Sequence, residues 1–192
     1  MSDSRAADRV DTGVPGLDTI LNGGFFKGGV YIVEGAPGSG KTILANQVCF
    51  HRAGHGESTI YITLLAESHT RMISHLRTME FFRPELITSS IYYISAFKVL
   101  EDGGLDGLLK SIQAAVHQRD ASFVVLDGLV SAEEFAPSPR DFKKFIHELQ
   151  TITGMTGCTM LMLSSTERAA RFRPEHTMVD GLFELADQLD GV

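Results

Sequence analysis

Short runs rich in apolar and β-branched residues recur along the chain, at 30–34, 59–65, 91–95, 122–127, 159–165 and 181–185. Each reads as a strand. Segments of helical length and mixed polarity lie between them, at 41–53, 69–82, 105–118 and about 141–153. Gly54 and Gly56 stop the first helix, and Pro84 stops the second because the residue before a proline is steered away from helical backbone. Gly103 and Gly104 break the chain ahead of the third. Runs such as 123–126 are apolar on both faces, which a strand needs only when helices cover both sides of its sheet. The pattern therefore predicts an α/β fold with a mostly parallel central sheet and helices on both faces. The first dozen residues are polar and read as loose, and no internal repeat or low-complexity segment is visible. The stretches 131–139 and 168–174 read as long loops at strand ends, where open α/β sheets form their ligand crevice.

Composition narrows the class. A chain of 192 residues has room for one domain with a sizeable core. Apolar residues at 43% and charged residues at 21% match a globular protein and exclude disorder or a collagen-like chain. The longest apolar runs fall far short of the ~20 residues that cross a bilayer, and the mixed-charge start MSDSRAADRV has no apolar signal region. No membrane partner is expected. Seventeen basic against twenty-four acidic residues give a net charge of −7, which argues against avid, non-specific nucleic-acid binding. Cys49 and Cys158 each sit inside an apolar run and read as reduced thiols of a cytoplasmic protein.

One segment carries chemistry on its face. Gly35-Ala36-Pro37-Gly38-Ser39-Gly40-Lys41-Thr42, followed by Ile43, fits G-x-x-x-x-G-K-[ST] and lies between a strand and a helix. Glycines let the backbone fold into a nest whose N–H groups face a phosphate, and the helix N-terminus adds positive potential. In such a loop Lys41 reaches the β- and γ-phosphates and the Thr42 hydroxyl ligates Mg²⁺. Four fixed positions recur by chance in roughly 1% of chains of this length, and the strand–loop–helix context makes a chance match rarer still.

Such a loop needs a carboxylate for Mg²⁺ at the end of a neighbouring buried strand, and Asp127 closes the run Phe123-Val124-Val125-Leu126. An acid at this place can instead cap a turn. Glu67 follows the strand 59–65 and is the candidate to orient an attacking water; its other reading is a first-turn acid for the helix beginning near His69. Ser164, Ser165 and Thr166 end another strand, with Glu167 next, and either sense the γ-phosphate or simply close the strand.

With these residues in this order the chain resembles the RecA-fold ATPases, and within them the KaiC family. The resemblance is carried by Thr12-Gly13-Val14-Pro15-Gly16-Leu17-Asp18, then Leu21-Asn22-Gly23-Gly24-Phe25, leading into Val30-Tyr31-Ile32-Val33-Glu34-Gly35. Asp180-Gly181-Leu182-Phe183-Glu184-Leu185 is similar to the strand after the family's second long loop. It spans about residues 10 to 190. It implies a RecA-like core, ATP and Mg²⁺ as ligands, and a homo-oligomer, a hexameric ring in the family, with ATP at subunit interfaces. Two departures stand out. The family carries two adjacent glutamates after the second strand, whereas here Ala66 precedes the single Glu67. The family also continues into a β-hairpin whose Lys and Arg reach a neighbour's γ-phosphate, and this sequence ends at Val192 without one. The reading is a flexible segment 1–11 and an ATPase domain 12–192 lacking that hairpin.

The remaining signals have bland alternatives. Arg168, Arg171 and Arg173 form a basic loop that either is solvated or contacts a phosphate or partner. His51 and His55 are four apart but lack a third ligand of matching spacing. Met155, Met160 and Met162 read as core or strand filling; Phe25-Phe26 and Phe81-Phe82 read as core or as a subunit interface. The function expected is slow ATP hydrolysis coupled to conformational change or assembly in a signalling or regulatory system, with a signalling protein as a partner. The alternatives are a non-hydrolysing nucleotide switch or scaffold, and a RecA-like mediator on single-stranded DNA.

Overall fold

The computed structural model describes residues 9–65, 69–165 and 177–186. Its main sheet holds β3 (Val30–Gly35), β4 (Thr59–Thr63), β5 (Ile91–Ser95), β6 (Phe123–Asp127), β7 (Thr159–Ser165) and β8 (Gly181–Leu185), in the order β5-β4-β6-β7-β3-β8. Every pairing in it is parallel. The helices are α1 (Leu17–Ile20), α2 (Lys41–Gly54), α3 (His69–Leu76), α4 (Phe97–Arg119), α5 (Leu129–Glu134) and α6 (Pro139–Thr156).

The two-sided apolar pattern of the strands becomes two cores. Val30, Ile32, Ile60, Ile62, Val124, Leu126, Met160 and Met162 pack against α4, α5 and α6. Their strand neighbours Tyr31, Val33, Tyr61, Phe123, Val125, Leu161 and Leu163 pack against α2 and α3. Alternation of side chains along a strand makes this division, and each large aliphatic chain so buried contributes about 1.5–3 kcal/mol.

The structure corrects several sequence expectations. The segment from Arg9 is not loose: β1 (Arg9–Val10) pairs antiparallel with β2 (Phe25–Phe26), and Thr12 is fully buried. Strands two residues long carry no readable periodicity. The stretch 131–139 is not one long loop, because α5 runs through Glu134 and α6 begins at Pro139. Ser138 accepts a hydrogen bond from the Asp141 N–H and Pro139 takes the first helical position, so the helix starts before 141. Helix α3 ends at Leu76 rather than 82, and turns carry Phe81 and Phe82 onto Phe50 at ring separations of 5.6 and 5.3 Å. The break expected at Gly103 and Gly104 is present, as non-helical backbone at Gly104 with φ 59°, but a further helical segment from Phe97 precedes it, so α4 is two helical stretches joined by a kink. Phe25 is core whereas Phe26 is exposed beneath the Arg9 guanidinium, 3.9 Å from its ring centre. Met155 is not core filling: it lies on the outer face of α6, 81% exposed.

Candidate functional site

The glycine-rich loop connects the C-terminal end of β3 to the start of α2. Gly38 at φ 85° and Gly40 at φ 93° hold left-handed backbone, which a residue with a Cβ adopts only under strain. Gly40 is the N-cap of α2 and supplies no capping side chain, so the helix opens toward the loop uncapped. Ser39 N–H donates to the Ala36 carbonyl at 3.1 Å and closes the turn. Lys41 is 7% exposed, and its Nζ donates to the carbonyls of Gly35 and Ala36, both at 2.8 Å, and to Ser39 Oγ at 3.4 Å. Burial holds the Lys41 ammonium below the usual lysine range, and the nearby Asp127 carboxylate partly offsets this. Thr42 follows on the first turn, and Ile43 packs against the core on the α2 side.

Asp127 ends β6, but not beside the loop-bearing strand as expected. Strand β7 lies between β6 and β3, so Ser164 and Ser165 occupy the gap. Glu34 is in register with Ser164 and Gly35 with Ser165; Leu163 of the same strand is in register with Asp127. Ser164 is buried and Ser165 is exposed. The loop, Asp127 and the Ser164 region thus share the C-terminal rim of the sheet, where ligands of open α/β sheets bind. Glu67, Thr166, Glu167 and the Arg168, Arg171 and Arg173 loop lie outside the described residues.

Three residues at this rim escaped the sequence reading. Tyr61 on β4 is fully buried and donates its phenol O–H to Asp127 Oδ2 at 2.6 Å. Burial, followed by the Asp127 charge, pushes the Tyr61 pKa well above the usual tyrosine value. Asn46 Nδ2 donates to the Thr42 carbonyl at 2.8 Å, and Asn46 Oδ1 accepts from the Tyr93 phenol at 2.8 Å. A signal for them existed. A tyrosine or asparagine in a strand or helix face that is otherwise wholly apolar must place its polar atoms on a partner.

The residues present suit a magnesium nucleotide. A glycine nest, a helix N-terminus and a lysine complement phosphate charge, while a hydroxyl and a carboxylate are the hard oxygen donors that Mg²⁺ takes.

The lead sequence 12–18 is structural rather than chemical. Asp18 accepts from Thr12 N–H at 2.7 Å and Gly13 N–H at 3.2 Å, tying the segment into a turn. Gly13 lies against the His51 ring of α2, where a Cβ would fall 2.1 Å from the ring carbon. His51 Nε2 in turn pairs with Asp11 at 2.5 Å.

The family model described as "ATPase: KaiC" matches residues 10–191. A UPF0273 protein of Thermotoga maritima is 28% identical over 204 residues, covering 95% of this chain and 82% of its own length. The circadian clock oscillator protein KaiC of Picosynechococcus is 24% identical over 198 residues, covering 97% of this chain but 38% of that protein. Among solved structures, a KaiC-like protein from the hyperthermophilic archaeon Pyrococcus horikoshii shares the fold, with a TM-score of 0.73 at 24% identity over 92% of this chain and 79% of its own.

Proposed function

The chain belongs to the KaiC ATPase family, and from that premise we propose that it binds Mg·ATP at the 35–42 loop and hydrolyses it slowly. The cycle would drive conformational change or assembly within a cytoplasmic signalling or regulatory system, with the chain acting as a homo-oligomer. The observation that carries the reading is the loop itself: left-handed glycines at 38 and 40, an uncapped α2 start and a buried Lys41 in the field of Asp127.

In this reading Lys41 exchanges its backbone carbonyls for β- and γ-phosphate oxygens, so binding replaces neutral acceptors by charged ones. The loop N–H groups orient the phosphate chain. Thr42 Oγ1 and the Asp127 carboxylate are the groups that would hold Mg²⁺, which when bound neutralises charge developing on the transferred phosphoryl group. Glu67, which follows β4 in sequence, accepts a proton from the attacking water and aims its lone pair. Ser164, at the end of the intervening strand, is the candidate to hydrogen-bond the γ-phosphate.

Calorimetric titration with Mg·ATP tests the assignment of the loop. Lys41→Ala is expected to weaken binding about 10- to 150-fold, the equivalent of a hydrogen bond to a charged group at about 1.5–3 kcal/mol. Equal affinity in wild type and variant would contradict it.

A further inference from the structure

We infer that Tyr61 is a positioning residue for Mg²⁺: its phenol holds the Asp127 carboxylate in the orientation that meets the cation. The inference rests on the Mg·ATP reading above and deepens it.

Strand register makes the contact. Tyr61 on β4 is in register with Val125 on β6, and Thr63 with Asp127. Phe123 and Val125 face α2; side chains alternate along a strand, so Asp127 is directed to that same side. The Tyr61 ring therefore reaches one diagonal step along the neighbouring strand to Asp127. A phenylalanine would fill the same space and leave the carboxylate without this donor. The 2.6 Å separation falls in the range of a hydroxyl donating to an ionised acceptor, about 2.5–2.7 Å.

The ring itself is fixed. Tyr61 has no solvent exposure, and Tyr93 of β5, its register partner, packs at 5.6 Å with the planes tilted by 43°. Tyr93 donates to Asn46, and Asn46 donates to the Thr42 carbonyl. Of these two packed tyrosines, Tyr61 thus holds Asp127, and Tyr93 reaches the Thr42 backbone through Asn46. The Asp127 carboxylate and the Thr42 backbone are each held by groups fixed in the core.

A purely structural tyrosine would affect folding but not cation dependence, and this separates the two roles. ADP and ATP affinities are measured by calorimetry in EDTA and across a Mg²⁺ series, for wild type and Tyr61→Phe. The expected result is an EDTA affinity within about twofold of wild type and a Mg²⁺ requirement raised about 10-fold or more, as for other groups that orient a metal ligand. In an Asp127→Asn background the same substitution is expected to add nothing. An unchanged Mg²⁺ requirement in Tyr61→Phe would overturn the inference while leaving the loop's nucleotide assignment intact. Absence of nucleotide binding by wild type, with or without Mg²⁺, would instead overturn the reading beneath it.

Should Tyr61→Phe fail to fold, 3-fluorotyrosine in the otherwise native chain supplies the second test. The Tyr61 ¹⁹F signal, assigned by elimination with Tyr31→Phe, Tyr92→Phe and Tyr93→Phe, is expected to shift with Mg²⁺ only when ADP is present. A signal indifferent to Mg²⁺ would overturn the inference.

Discussion

Glycine serves two different purposes in the phosphate-loop motif. At 38 and 40 it supplies positive φ in open space, and the objection to a side chain there is backbone strain. At 35, in β3, the objection is contact: a Cβ would stand 2.4 Å from the Leu185 carbonyl oxygen and 2.5 Å from Ser39 Oγ. Leu185 is backbone of a paired strand and cannot step aside cheaply. Gly35→Ala is therefore expected to lower stability by about 1–3 kcal/mol, the usual cost of overpacking, and to weaken nucleotide binding because Ser39 must move. Urea unfolding with a parallel nucleotide titration measures both. A variant as stable as wild type would show that β8 is not seated on β3 as described.

At the scale of elements, the boundaries least legible in the sequence are those set by single caps or by pairing with distant residues. Helix α6 begins where Ser138 caps it, and the Ser138 hydroxyl also donates to Asp141 Oδ2 at 2.6 Å. Ser138→Ala is expected to cost about 1 kcal/mol, within the 0.5–2 kcal/mol span for lost N-caps, read as a lower urea midpoint at unchanged slope. No loss would mean that Pro139 and the packing of Phe142 and Phe145 suffice to start the helix. Strands β1 and β2 were invisible for another reason: their pairing joins Arg9 to Phe26 and Val10 to Phe25, distant in sequence, through only those two registered positions. The long strands were legible because burial on both faces leaves a continuous apolar run. The lead sequence 12–18 was legible as a family mark but not as a brace between the chain start and α2, because Asp18 and Gly13 act through a turn and a ring contact rather than a period.

Across the whole molecule, the site is a product of strand order. Thr63, Asp127, Leu163 and Gly35 come from four strands whose C-terminal ends fall at one rim. The sequence named the loop and Asp127 but placed their strands side by side. Order in a parallel sheet is decided by crossovers, which leave no mark on the residues of a strand. The sequence also missed Tyr61, since a lone tyrosine among β-branched neighbours satisfies strand propensity without revealing its partner.

Turnover of Mg·ATP at this rim, as proposed, is read from phosphate release measured across a range of protein concentrations. The specific activity is expected to rise with concentration, as it does for a site completed between copies. A rate at least ~10²-fold lower is expected in Glu67→Gln, with nucleotide still bound. Nucleotide held firmly with no phosphate released at any concentration would contradict hydrolysis and make the chain a binding switch.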